Sequence, residues 1–368
     1  MVIMALDHTR DYFGMPGANP TNLATTTSAL FFTRWITHFC APTFFLLTGT
    51  GAFLSLSKQT PGQLSRFLFT RGLWLIFLEV VVLRFMMQFN VDYRVTMLTV
   101  LWALGCAMIT LSALVFLRPS IVATIGLVLI VGHNAFDGVR SANPIWSILH
   151  SPGFLLNTPD HVLFLSYPII PWIGVTAVGY ALGQIYRWPA EQRQQWLLRA
   201  GIGVTAAFFV LRGINVYGDP VKWSVQTSTA LTVISFFNLN KYPPSLLFLL
   251  MTLGPVLLFL RAVDSRTPRA LEPARIIGKV PMFYFLVHFP LIHLIAVAVC
   301  YALNGSAHWM FESPSLDKFS FTTPPVWGFS LPIVYLVWAI VVIVSYPLCK
   351  WYAGVKQRRA DLWWLSYL

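Results

Sequence analysis

Nine apolar stretches, bounded by polar or basic residues, run through this chain from end to end, and they limit its fold more than any other feature. A helix that crosses a hydrocarbon core of about 30 Å needs roughly 20 apolar residues. The candidate spans are Leu30–Ser57, Phe67–Phe89, Val95–Leu117, Ile121–Asn134, Val162–Tyr186, Leu197–Val216, Ser245–Leu260, Val280–Tyr301 and Leu331–Trp351. Met1–Phe13 is also apolar but, at about 1.5 Å per residue, reaches only about 20 Å. We expect an upstream piece of this helix before Met1, which brings the count to about ten. Composition agrees: 57% of the 368 residues are hydrophobic and 10% charged, against about 25% charged in a soluble domain. A disordered chain and an ordinary cytosolic enzyme are excluded. The expected fold is all-α: a polytopic integral membrane helix bundle of about ten transmembrane helices, its first helix truncated, forming a single domain over residues 1–368.

The net charge of +12, from 25 Lys and Arg against 13 Asp and Glu, invites a nucleic-acid partner, but the positions of the charges explain it better. Lys58, Arg66 and Arg71 share one loop and Arg118 lies in the next alternate one. Arg187, Arg193 and Arg199 share another, Arg261, Arg266, Arg269, Arg275 and Lys279 the fourth, and Lys350, Lys356, Arg358 and Arg359 form the tail. Sixteen basic residues thus fall on one side and five (Arg94, Arg140, Lys222, Lys241 and Lys318) on the other. The positive-inside rule places the first group, and with it both termini, in the cytoplasm. The expected partner is the lipid bilayer, with no nucleic acid. Cys40, Cys106, Cys300 and Cys349 are widely spaced in apolar runs and read as packing residues. The start MVIMALDHTRDYF lacks the basic n-region and cleavage site of a signal peptide. No Walker motif and no GxGxxG occurs.

A charged group within a bilayer is costly, so it faces the protein interior and often marks function. By the orientation above, Asp7, His8, Arg10, Asp11, Arg34, His38, Arg84, Arg212 and His293 lie in the outer half of the bundle, with Glu79 and His288 near mid-depth. Their convergence points to a site. In Asp7-His8-Thr9-Arg10-Asp11, residues 7, 10 and 11 are helical neighbours, while His8 points elsewhere and can serve as general base or nucleophile. Asp7 or Asp11 is placed to orient it. Taken alone, the segment also reads as a salt-bridged helix end. Arg34 and His38 stand four apart; Arg34 suits an anionic group or a pairing with Asp7 or Asp11. Pro42 is placed to kink the following helix. His288 and His293 flank Pro290 and read as helix packing or as substrate or acyl-donor contacts; no companion ligand makes them a metal pair, and no metal is expected. Lys241 and Tyr242, before Pro243-Pro244, suit a lid or substrate contact, or an interfacial helix start. Gly49-Thr50-Gly51 and Gly174, Gly179 and Gly183 read as close helix packing.

The segments MALDHTRDYFG, FFTRWITHFCAPTFFLLTG, YPIIPWIGVTAVGYALG, KYPPSLLFLLMTLGP and VPMFYFLVHFPLIH follow in order along the chain. Together they resemble the bacterial branch of the heparan-alpha-glucosaminide N-acetyltransferase catalytic-domain family, within the transmembrane acyltransferases. The resemblance implies transfer of an acyl group, acetyl above all, from cytosolic acetyl-CoA to an extracytoplasmic sugar, glycan or aminosugar acceptor, in a bacterial inner membrane. The family's lysosomal member uses a histidine just after its first helix. His8 is the nearest match here, earlier in the helix, with His38 the alternate. On this reading His8, Asp7, Asp11 and His38 are the candidate catalytic residues. Arg10, Arg34, Lys241, Tyr242, His288 and His293 are the candidates for substrate or acyl-donor binding.

A rival reading is a transporter or channel for a small molecule or protons, with Glu79 and the histidines as its relay. The acceptor, the acyl chain and the oligomeric state, a homo-oligomer included, stay open.

Overall fold

The computed structural model describes residues 1–264, 268–359, 361, 362 and 365. Arg266, counted above among the cytoplasmic-side basic residues, lies outside the described residues. Among the described residues, six helices are long and apolar enough to cross a membrane: Ser28–Ser55, Pro119–Phe136, Ala190–Ile214, Leu246–Asp264, Pro281–Asn304 and Leu331–Arg358. The chain is an integral membrane protein. Helical runs over residues 61–88, 100–114 and 170–187 pack among these six, as does the short helix Val2–Phe13.

Two of the expected spans, Val95–Leu117 and Val162–Tyr186, begin as strands, which corrects the all-α expectation. β1 (Val95–Leu98), β2 (Gly153–Asn157) and β3 (Val162–Leu165) form one sheet in the order β1-β3-β2. β1 runs parallel to β3 with Val95 opposite Val162, and β2 runs antiparallel to β3 with Gly153 opposite Leu165. A short apolar run reads alike as a strand or as part of a buried helix, so hydropathy could not separate them. Proline explains where the second helix resumes. Pro168 lacks an amide donor, and Pro171 occupies the first turn of Ile170–Leu182, where a missing donor costs nothing.

Glu79 illustrates how the bundle places a buried charge. It lies on the π-helical turn Leu78–Leu83 and is almost wholly buried. Its Oε1 accepts from the Thr99 amide (2.8 Å) and hydroxyl (2.6 Å). Its Oε2 accepts from the Leu101 and Trp102 amides at 2.9 and 3.3 Å. These amides are the unpaired donors at the start of helix Val100–Leu114, so the carboxylate caps that helix from a neighbouring one and meets its positive dipole end. Glu79 is accounted for without a proton relay.

The helices are held at close range by glycines. A Cβ on Gly49 would lie 2.0 Å from the Thr176 carbonyl oxygen, and one on Gly179 would lie 2.1 Å from that of Leu46. Gly72 and Gly105 face each other in the same way across helices 61–88 and 100–114, with built Cβ atoms 2.7 and 2.6 Å from the partner's carbonyl. Gly126 and Gly174 repeat the arrangement. Gly51, by contrast, has open space where its Cβ would go.

Two buried residues shape the loop that precedes helix Leu246–Asp264. Arg212 donates to the carbonyls of Phe236 (2.8 Å), Val221 (2.8 Å) and Ser235 (3.0 Å). Asp219 accepts from the Ser245 hydroxyl (2.6 Å) and from the amides of Asn240 (2.9 Å) and Val221 (2.8 Å). Burial raises the Asp219 carboxyl above its ordinary range, although these donors pull it down. Between them the pair sets the path of the segment that carries Lys241 and Tyr242.

Gly49→Ala and Gly179→Ala are each expected to destabilise the protein by about 1–3 kcal/mol or more, as overpacking does, while Gly51→Ala has little effect. Thermal unfolding of the three variants in one detergent checks this ordering.

Candidate functional site

The first helix, Val2–Phe13, brings one side of the site into the bundle. It packs against Pro281–Asn304 and Leu331–Arg358 and buries Met4, Ala5, Leu6, Thr9, Tyr12 and Phe13. Asp7, His8, Arg10 and Asp11 therefore fall on its last two turns. The Asp7 carboxylate is ion-paired with Arg34 Nη1 through Oδ2, and its Oδ1 lies 3.0 Å from Arg10 Nη2. Arg10 Nη2 also pairs with Asp11 at 2.6 Å, where Asp11 is 54% exposed. Arg34 thus makes the structural pairing with Asp7. Its Nη2 also donates to the Tyr242 hydroxyl (3.4 Å), so the same guanidinium joins the first helix, the second helical run and the Lys241–Tyr242 segment. The Tyr242 ring stands edge-on to Tyr167 at 5.1 Å, and Lys241 Nζ lies 5.2 Å from the Tyr242 ring centre.

His8 belongs to a different neighbourhood from the two carboxylates. Its ring centre is 5.4 Å from that of His288, 4.1 Å from Phe289 and 6.5 Å from Phe285. Both Asp7 oxygens are turned to the arginines, and no carboxylate hydrogen bond orients His8 among the described residues. His288 is fully buried and donates from Nδ1 to the Tyr284 carbonyl at 2.8 Å. That bond leaves Nε2 as the lone-pair nitrogen, and among the described residues Nε2 has no hydrogen-bond partner. The two imidazoles thus sit side by side, with an uncommitted acceptor between apolar rings.

His38 lies on the 3₁₀ turn Ile36–Phe39, which interrupts the second helical run just before Pro42. The proline falls in the first turn of Cys40–Ser55, so the break appears where a kink was expected. His38 is buried, its Nδ1 has no hydrogen-bond partner among the described residues, and its ring is 5.2 Å from Phe248. His293 is placed differently. Its two nitrogens lie 3.2 and 2.9 Å from the Met86 and Met310 carbonyls, and its ring stacks on Phe89 at 4.0 Å. It joins three segments of backbone and leaves no nitrogen for a substrate. Arg84 likewise is held by the Val95 carbonyl, Asn90 and Asp92, at 2.6 to 3.1 Å.

Two cavities flank this group at opposite ends of the first helix. One of about 640 Å³ is lined by Arg10, Asp11, Tyr12, residues 14–20, Asp317 and Trp327, among others. The other, of about 360 Å³, is lined by Met1, Phe44, Gly51, Arg71, Met282 and Phe285, among others. Phe285 touches His8 from the second cavity. Arg10 and Asp11 border the first, within one turn of Asp7 and His8. An imidazole between two cavities can move a proton or accept an acyl group, and the arginines offer charge to an anionic or carbonyl oxygen.

The structure also gathers residues that the sequence reading passed over. His133, Asp137 and His150 place their ligand-type atoms within 4.8 Å of one another. The available signal was the four-residue step from His133 to Asp137, which repeats on one helical face. The third member is thirteen residues further on and only the fold brings it back.

Removing Arg34 leaves Asp7 with Arg10 as its partner, so Arg34→Ala is expected to destabilise the protein by less than a buried charge left unpaired would, about 3–5 kcal/mol. Asp7→Asn together with Arg34→Gln is expected to cost less than the two single changes added, and a thermal double-mutant cycle measures that coupling.

The family model described as heparan-alpha-glucosaminide N-acetyltransferase, catalytic, matches residues 1–214. The matched part holds Asp7, His8, Arg10, Asp11, Arg34 and His38, while Lys241, Tyr242, His288 and His293 lie beyond it. No curated protein and no solved structure matches the chain. More than half of the sequence thus carries the family pattern, and the part that does includes the first helix and its ion pairs; the chain belongs to the heparan-alpha-glucosaminide N-acetyltransferase catalytic family of membrane acetyltransferases.

Proposed function

We propose that this protein moves an acetyl group, or a related acyl group, from cytosolic acyl-CoA to a sugar, glycan or aminosugar acceptor on the opposite side of a bacterial inner membrane. The observation that carries the reading is the position of His8: it is hydrogen-bonded to no described residue, its ring meets Phe285, which lines one cavity, and it lies within one turn of Arg10 and Asp11, which border the other. We take the whole chain as one domain with about ten spans, counting the short first helix and the runs over 61–88, 100–114 and 170–187 with the six longer ones. Both termini and the basic loops face the cytoplasm.

In this orientation the 360 Å³ cavity opens toward the cytoplasm. Its largely apolar lining and modest size suit an acyl thioester arm better than a whole nucleotide. Lys279, Lys350 and Lys356 line a further cavity of about 460 Å³ at the same end and carry the right sign for phosphate groups. The thioester supplies an activated acyl carbonyl. The 640 Å³ cavity, bordered by Arg10 and Asp11, receives the acceptor. His8 takes up the proton of the acceptor hydroxyl or amine, or carries the acyl group in transit; by either route the acyl C–S bond of the thioester breaks, the acyl C–O or C–N bond of the product forms, and CoA leaves as its thiol with the proton that the acceptor gave up. His288 Nε2 is the nearest second base. Asp7 holds Arg34 and Arg10 in place, Arg34 and Lys241 stabilise developing negative charge, and Tyr242 fixes Arg34. His38 lines the wall next to this cluster.

Labelled acetyl-CoA and an aminosugar, presented to the purified full-length protein in detergent, test the reading. His8→Ala is expected to slow transfer on the order of 10²–10⁴-fold, the range of a positioned acid–base group. Transfer unchanged in both His8→Ala and His38→Ala would sink the assignment. Label retained on the protein without acceptor identifies a carrier; its absence identifies a base.

A further inference from the structure

We propose that His133, Asp137 and His150 form a binding site for a divalent metal of the zinc class, and that the bound metal clamps the segment bearing Lys241 and Tyr242. The site lies at the end of helix Pro119–Phe136, apart from His8, and stands whether or not the acyl-transfer reading holds.

The three side chains come from two directions. His133 and Asp137 flank the 3₁₀ turn His133–Phe136. His150 ends the short helix Pro144–Leu149, with its ring stacked on Trp146 at 4.9 Å. Their ligand-type atoms all lie within 4.8 Å of one another. Two imidazoles and one carboxylate are a common donor set for zinc, with a fourth position left for water.

The second observation is His133 itself. It is 3% exposed, and among the described residues neither ring nitrogen makes a well-formed hydrogen bond. The backbone carbonyl of Pro244 stands close enough to accept from one nitrogen, which is how an outer carbonyl orients a ligating histidine, and the other nitrogen is left unmatched. Buried polar groups in folded proteins are nearly always paired, so that nitrogen calls for a partner. Asp137 is supported in the same manner: Asn134 Nδ2 donates to its Oδ2 at 2.8 Å, and its Oδ1 stands 3.7 Å from His150 Nε2. His150 Nε2 also hydrogen-bonds to the His133 carbonyl at 2.7 Å. Ligation through this nitrogen replaces that bond. Asp137 is 19% exposed and gives an ion its way in.

The connection to Lys241 and Tyr242 is direct. Asn134 Oδ1 accepts from the Leu246 amide at 2.8 Å, and Pro244 lies beside His133. A metal on His133 thereby anchors the stretch from Lys241 to Leu246, whose Tyr242 hydroxyl meets Arg34.

The test uses full-length protein purified through a histidine-free affinity tag, washed with chelator, loaded with Zn²⁺ and desalted. We expect about one zinc per chain by mass spectrometry of the metal, and a higher unfolding temperature that chelator reverses. Co²⁺ in place of Zn²⁺ should give the visible absorption of a tetrahedral nitrogen and oxygen site. His150→Ala and the near-isosteric Asp137→Asn should each weaken retention at least tenfold, while His308→Ala, at an exposed histidine elsewhere, leaves it unchanged. Wild-type protein that retains no more zinc than Asp137→Asn, or a cobalt spectrum that this change does not alter, overturns the proposal. Asp137→Asn keeps the test decisive if the histidine variants fail to fold.

Discussion

Backbone-to-backbone contact at paired glycines is the constraint on which the rest of this molecule depends. Gly49 against Gly179, Gly72 against Gly105 and Gly126 against Gly174 leave less room than a single methyl group needs. Helices in lipid gain little from burying apolar surface against each other, so close van der Waals approach has to hold them. The helical runs over 28–55, 61–88, 100–114, 119–136 and 170–187 are tied into this lattice, and the Thr50 hydroxyl, which donates to the Gly179 carbonyl at 3.0 Å, adds a hydrogen bond at the closest crossing. The His38 turn, on the same run as Gly49, is positioned by these contacts.

Against that frame, the buried charges divide into two kinds. Glu79, Arg84, Arg212 and Asp219 each meet backbone or amide groups, and they fasten helix ends and loops. Their hydrogen bonds offset the cost of burial and leave little unsatisfied. Asp7 instead pairs with Arg34 across helices and with Arg10 one turn along its own helix, next to the His38 and His288 imidazoles, each of which keeps one nitrogen uncommitted among the described residues. A folded chain rarely keeps such nitrogens without use. That contrast separates the His8–His288 neighbourhood from the structural charges more sharply than depth in the bundle does.

Much of the site was legible because a charge in an apolar run stands out. Asp7, Arg10, Arg34 and His38 were visible for that reason, and the structure brings the first three into one ion-paired group. Other assignments needed geometry. His293 looked equivalent to His288 in sequence, yet carbonyls occupy both of its nitrogens. Asp7 and Asp11 looked like partners for His8, but arginines take both carboxylates. The strands at Val95 and Val162 were hidden because four residues at the start of a longer apolar run carry no clear period. His133, Asp137 and His150 were hidden because the third, His150, meets the other two only when a loop folds back.

Sequence alone determined that this chain lives in a membrane, which residues are too polar to face lipid, and where proline and glycine permit breaks and close approach. These follow from transfer free energies and backbone sterics, which are properties of each residue and its near neighbours. Only the tertiary structure decided which charge pairs with which, which histidine keeps a free nitrogen, and which helix end a distant carboxylate caps. Those outcomes depend on contacts between residues tens to hundreds of positions apart, and a linear pattern does not encode the distances on which hydrogen bonds and ion pairs turn.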